Sequence, residues 1–327
     1  HIKSKFMRHI FRAIVLAIAL LSGASPQATA ASGNLFPYPV PPDTMMALQP
    51  RCDFIVGRFW ERCNFGSAFR NPDALNAAFG DWVSIMPHAS ADTVHAAVNR
   101  LLERFAKKGP ETLALATMAE NWMYSDTAPA FSEEVYLPFA RAAAANKKIG
   151  KAEKARFALH KGIIESSGVG ATVPDMAFTR PDGSRGNLGE IHGSSILLFI
   201  NDPDCSDCNL ARVRLSADYN TRELISRGEL TIVSIYPDEP SDTWKAEAAE
   251  YPSEWVVCAI PDADLHFDLR NSPEFLFLNS RHKVLIKGIG IDYLLGAFRV
   301  ANTATQERLR QEPHSAAETD SSTTTKP

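Results

Sequence analysis

The hydrophobic period of this chain changes once, at Gly168-Val169-Gly170, and that change most restricts what it can fold into. Before it, apolar residues recur at helical spacing. In SADTVHAAVNRLLERFAKKG the residues Val94, Ala97, Val98, Leu101, Leu102 and Phe105 form one stripe of a helix, which Ser90 can cap and Gly109-Pro110 can end. Similar segments over about 71–86, 111–124, 132–147 and 151–165 predict five helices joined by short turns, a small all-helical bundle. The prolines at 37, 39, 41, 42 and 50 predict an extended lead-in ahead of it.

After the glycines the pattern is that of alternating strands and helices. Met176 to Arg180, the turn Pro181-Asp182-Gly183 and the residues to Leu188 read as a hairpin. An apolar run from Ile196 to Ile200 follows, then a helix over about 206–227 and the strand LTIVSIY from Leu230. A helix (242–250), a strand (255–259), a second hairpin (275–278 with 283–286) and a last helix (291–300) complete it. Strands separated by helices require crossovers, so the central sheet is expected to be mainly parallel.

Both ends carry a different composition. From Met7 the order is basic (Arg8, His9, Arg12), then the apolar run from Ala13 to Leu21, then small residues ending Ala28-Thr29-Ala30. That is the layout of a secretory signal with cleavage after Ala30, and the run is about half of the roughly 20 residues that span a bilayer. The expectation is an exported protein, periplasmic or secreted, with no stable membrane span after cleavage. Beyond Ala301 almost no apolar side chain is left, which predicts a disordered tail. The partition is therefore 1–30 signal (starting at Met7), 31–167 lead-in and helical domain, 168–301 the α/β domain and 302–327 tail. The net charge of −4 includes four basic residues in the signal; without them 30 Lys and Arg face 38 Asp and Glu. An acidic chain lacks the clustered cations that bind nucleic acid, so no nucleic-acid partner is expected.

Five cysteines stand at 52, 63, 205, 208 and 258. Cys205-Ser206-Asp207-Cys208 lies just after a buried strand and just before a helix. There the first sulfur meets the free N–H groups and positive end of the helix dipole, which favour thiolate. The second sits one turn deeper, placed to attack a mixed disulfide on the first. Those are the parts of thiol–disulfide exchange, although the same geometry also allows an inert structural bond. A zinc site would need four ligands, and no second CxxC or HxxxH accompanies the pair, so no metal and no cofactor are expected. Cys52 and Cys63 form a second candidate disulfide, left open by sequence; Cys258, within WVVCA, reads as a buried thiol.

These residues carry a resemblance. Ala171-Thr-Val-Pro174-Asp175 before the hairpin, Asp182-Gly183 in its turn, ILLFINDPDCSDC and Ser272-Pro273 before EFLFLN resemble the TlpA-like branch of the thioredoxin superfamily, periplasmic thiol–disulfide oxidoreductases. The resemblance implies an α/β thioredoxin-like fold, a central mixed sheet flanked by helices, preceded by the small all-α domain. It implies that Cys205 and Cys208 are catalytic, that Pro273 is a cis-proline facing them, and that the Ser272 backbone holds a substrate strand. The partners it implies are protein thiols and disulfides of the envelope and an unidentified electron donor. Phe59-Trp-Glu-Arg62, AENWMYSDTAPAFSEEVYLPF and SIYPDEPSDTW also resemble an uncharacterised helical domain fused to such folds in exported bacterial proteins.

Two departures from the implied pattern matter. Asp204 and Asp207 stand where an aromatic residue and a proline are common. As like charges beside Cys205 they are expected to tune its pKa upward, placing the pair toward the reducing end, about −270 mV rather than about −120 mV. Phe199 occupies the place of the buried aspartate that moves a proton in thioredoxin, which leaves water, Asp202, Glu190 or Asp262 as candidates.

Overall fold

The computed structural model describes residues 34–311, which divide into two units, one up to Ile164 and one from Glu165. The expected signal, and the expected tail from residue 312, lie outside the described residues.

In the first unit the helices are α1 (Leu48–Arg58), α2 (Phe65–Ala68), α3 (Pro72–Ile85), α4 (Ala91–Phe105), α5 (Gly109–Met123), α6 (Glu133–Ala145) and α7 (Lys151–Ser167), the last crossing the division. The stripe read in α4 is the face that is buried, and the Ser90 hydroxyl accepts from the Thr93 N–H at its start. Helices α1 and α2 were not expected. Pro50 lies in the first turn of α1, where a missing N–H costs no internal hydrogen bond, and Ala47 ahead of it supplies no side-chain cap. What holds α1 is burial of Cys52, Ile55 and Val56 on its inner face. Trp82 of α3 packs edge-on to Trp60 and donates its indole N–H to the Val56 carbonyl at 3.1 Å. Cys52 and Cys63 are buried, separate thiols, so the structure does not pair them.

In the second unit a seven-stranded sheet has the order β2-β1-β5-β4-β3-β6-β7. Its strands are β1 (Ala177–Thr179), β2 (Arg185–Asn187), β3 (Ser195–Ile200), β4 (Leu230–Tyr236), β5 (Val256–Ala259), β6 (Glu274–Asn279) and β7 (Val284–Lys287). Strands β3, β4 and β5 are parallel, as crossovers demand, but β1 pairs antiparallel with β2 and β5, and β6 with β3 and β7, so the sheet is mixed rather than mainly parallel as expected. Central β3 is buried on both faces, which is why it reads as an unbroken apolar run. Ile196, Leu198 and Ile200 pack into one apolar layer with Val233, Ile235 and Leu276. Leu197 and Phe199 pack into the other, with Ile232 and Phe275.

The remaining helices are α8 (Ser206–Ala217), α9 (Tyr219–Ser226), α10 (Asp242–Ala248) and α11 (Ile291–Gln311). The single helix expected over 206–227 is two, because Asp218 leaves the helical conformation and caps α9, accepting from the Thr221 N–H at 2.7 Å. Helix α11 runs past Val300, where it was expected to stop, so residues 302–311 are helical rather than tail. Polar contacts replace the missing apolar ones: buried Asn302 donates to Asn220 at 3.0 Å and Thr305 donates to Glu229 at 3.3 Å. Among the described residues no helix is long and apolar enough to cross a membrane.

Candidate functional site

Strand β3 ends at Ile200, and the next residue fixes how the chain leaves the sheet. The buried Asn201 amide donates to the Phe199 carbonyl (2.9 Å) and the Ser234 hydroxyl (2.7 Å), while its oxygen accepts from the Tyr251 phenol (2.7 Å). Burial raises the Tyr251 pKa, so the phenol keeps the proton it donates. The Asp202 carboxylate then accepts from the Asp204 N–H, its carbonyl accepts from the Cys205 N–H, and Asn209 reaches back to the Pro203 carbonyl. Four residues are folded tightly enough to deliver Cys205 to the start of α8.

Cys205 is the N-cap of α8, and its sulfur accepts from the Cys208 N–H at 3.1 Å. An N–H aimed at that sulfur, with the helix dipole behind it, stabilises a negative charge there. Cys208 is 2 % exposed while Cys205 is half-buried; their Cα atoms are 5.2 Å apart and the sulfurs are within bonding distance as a disulfide. The Ser272 carbonyl lies 3.9 Å from the Cys205 sulfur, and the Ser272 hydroxyl is 3.1 Å from that of Cys208. The Ser272–Pro273 peptide is cis. Six of the residues singled out by sequence, Asp204, Cys205, Asp207, Cys208, Ser272 and Pro273, thus meet at one end of β3 and β6.

Asp204 and Asp207 are exposed, and Asp207 lies in the first turn of α8. Phe199 is fully buried, stacked on Phe275 with ring centroids 5.2 Å apart, so no acid occupies that place. Glu190 and Asp262 are exposed, one in a short 3-10 turn before β3 and the other at the start of a second such turn after β5. Neither lines the cleft of about 410 Å³ at Cys205, whose walls include Asn201, Asp202, Asp204, Leu269, Ser272 and Glu274. Sequence reading passed over Glu274, 7 % exposed. The available signal was a lone charge opening the otherwise apolar strand EFLFLN directly after Pro273.

A second acid was also missed. Burial pushes the Glu247 carboxyl of α10 above the usual carboxylate range; Arg212 opposes this, and the charges of Glu250, Asp204 and Asp202 add to it. Arg212 lies over the Tyr251 ring and pairs with Glu250 at 2.9 Å, which ties the loop after α10 to α8. Among the described residues no group of three His, Cys, Asp or Glu is placed to hold a metal.

A solved thioredoxin-like protein from Bacteroides caccae is 26 % identical and covers 81 % of this chain and 98 % of its own, with a TM-score of 0.65. This unit has a thioredoxin-like fold. The C-terminal domain of an uncharacterised Bacteroides fragilis protein is 27 % identical over 40 % of this chain and 96 % of its own, with a TM-score of 0.37. The thioredoxin domain of a Bacteroides vulgatus thiol–disulfide oxidoreductase is 19 % identical over 41 % and 96 %, with a TM-score of 0.34. Residues 22–166 match a family described as a domain of unknown function, DUF5106. No curated protein matches the chain. The thioredoxin-like unit thus carries the Cys205–Cys208 pair, and the helical residues before it in the chain match a family of unknown function.

Proposed function

We propose that the chain is an exported thiol–disulfide oxidoreductase that works as a reductase of envelope proteins. The observation that carries this reading is the unequal setting of the two sulfurs at the start of α8, one accessible and one buried beneath it against Ser272. In the reduced chain the Cys205 thiolate attacks a substrate disulfide, forming a mixed disulfide and releasing one substrate thiol. Cys208 then attacks the Cys205 sulfur, which frees the second substrate thiol and leaves the Cys205–Cys208 disulfide. Two electrons and two protons pass to the substrate, and an electron donor must return them. The Ser272 backbone beside Cys205 suits an extended substrate segment, and Asp204 and Asp207 tune the thiol toward an ordinary, less acidic value.

Replacing Cys208 with Ser removes the resolving thiol, so the C208S chain is expected to accumulate mixed disulfides with envelope proteins. Non-reducing gels and mass spectrometry of captured species read this directly. Capture no greater than that of a C205S/C208S chain would mean that the pair is a structural bond in a binding module. The direction is tested by equilibrating the chain with glutathione or dithiothreitol. A potential near −270 mV is expected, and one above about −180 mV overturns the assignment as a reductase.

A further inference from the structure

The cleft that gives access to Cys205 is acidic from several sides. Its walls carry the carboxyl side chains of Asp202, Asp204 and Glu274, and no Lys, Arg or His is among the described residues that line it. Asp207, exposed, stands two residues beyond Cys205, and the exposed Asp238 and Glu239 follow directly on Pro237, another wall residue. These acids come from separate segments: the β3–α8 loop, the first turn of α8, the β4–α10 loop and the start of β6.

The cations closest along the chain to Cys205 and Ser272 are already engaged. Arg212 pairs with Glu250, lies over Tyr251 and has a side chain only 12 % exposed. Arg270 is held by Asp268, to which its Nε donates at 2.8 Å. Two of the acids have local uses: Asp202 accepts the Asp204 N–H, and Asp207 sits at the positive end of the α8 dipole. Asp204 has none, since among the described residues no donor or cation pairs with its carboxylate. A carboxylate directly before the reactive sulfur disfavours thiolate there, so its use lies outside the fold.

Resting on the function proposed above, we propose that Asp204 and Asp207 select substrates by charge, favouring polypeptide segments that carry Lys or Arg beside the cysteine of their disulfide. The Ser272 carbonyl, 3.9 Å from the Cys205 sulfur, suits an extended segment. Residues of such a segment are about 3.3 Å apart, so side chains one or two positions from the substrate cysteine fall over the stretch of chain that holds both aspartates. Opposite charges there speed encounter and fix register, and the same carboxylates repel anionic segments. The chemistry of exchange is unchanged. A bond forms between Cys205 and one substrate sulfur as the substrate S–S bond breaks, and the electron pair and the Cys205 proton go to the departing sulfur.

The test uses the full chain with C208S, reduced, and follows the first exchange step with three peptide disulfides of one length whose flanking residues are Lys, Gln or Glu. The small, neutral hydroxyethyl disulfide reports the reactivity of Cys205 apart from substrate charge. At low ionic strength the Lys peptide is expected to react at least about tenfold faster than the Glu peptide, with the Gln peptide between them. The ratio shrinks several-fold at about 0.5 M salt, where screening is effective within a few ångströms. In the double variant Asp204→Asn, Asp207→Asn, which keeps side-chain shape, the ratio falls below about threefold while hydroxyethyl disulfide reacts at least as fast as with the parent. Equal rates for the three peptides in the parent, a comparison that needs no variant to fold, overturn the proposal and leave the oxidoreductase reading standing. So does a ratio that the double substitution leaves untouched. A Cys205 that alkylates with iodoacetamide but exchanges with none of the four disulfides overturns both.

Discussion

At the scale of single residues, five thiols of one chain are set to react very differently. Burial pushes the Cys63 thiol up to about 11 and that of Cys258 up to about 12, and raises Cys52 as well. Only Cys205 combines access with a helix start. In the reduced, folded chain at pH 8, iodoacetamide is expected to modify Cys205 first and to leave 52, 63 and 258 untouched until denaturant is added. Peptide mass mapping checks this, and early labelling of Cys258 would contradict it. The cysteine pair was legible in sequence because a strand, a short loop and a helix start have local signatures. Glu274 was not, because its place in the cleft at Cys205 is made by antiparallel pairing of strands 74 residues apart along the chain, from Ile200 to Glu274.

At the scale of elements, the helical unit depends on a close crossing of α3 and α5. A Cβ built on Gly80 would overlap the Trp122 ring, which lies across that glycine and donates to Asn76 at 3.0 Å. Gly80→Ala is therefore expected to destabilise the unit by about 1–3 kcal/mol through overpacking, even though alanine is the better helix former. A drop in melting temperature is the readout, and an unchanged or raised one would show that Trp122 can move. At the other end of the chain, cutting after Ala301 deletes the Thr305–Glu229 contact and is expected to lower the melting temperature too. The strands were readable because β3, β4 and β6 are filled with Leu, Ile, Val and Phe. Helix α1 and the end of α11 were not, because one begins without a capping side chain and the other is held by Asn302 and Thr305, which a hydrophobic pattern does not count.

At the scale of the whole molecule, acidic side chains govern the response to pH. Burial would push Asp268 up, but Arg270, whose Nε donates to it at 2.8 Å, holds it below the usual carboxylate value. The Arg227 hydrogen bond does the same for Glu229. A carboxyl held low in the folded state contributes stability that is complete above its unfolded value, about 4, and is lost as pH falls through the folded one. Urea midpoints are expected to fall below about pH 4, and less steeply for Arg270→Gln. Equal slopes for the two chains would remove Asp268 from the explanation. Another consequence follows from Cys208 lying one turn beneath Cys205, with Cα atoms 5.2 Å apart. On the function proposed here, a partner caught on Cys205 is released by a neighbour that never diffuses away, at an effective concentration no dissolved thiol approaches. Its residence time is then a clock built into the chain, indifferent to how much reductant the surrounding compartment holds.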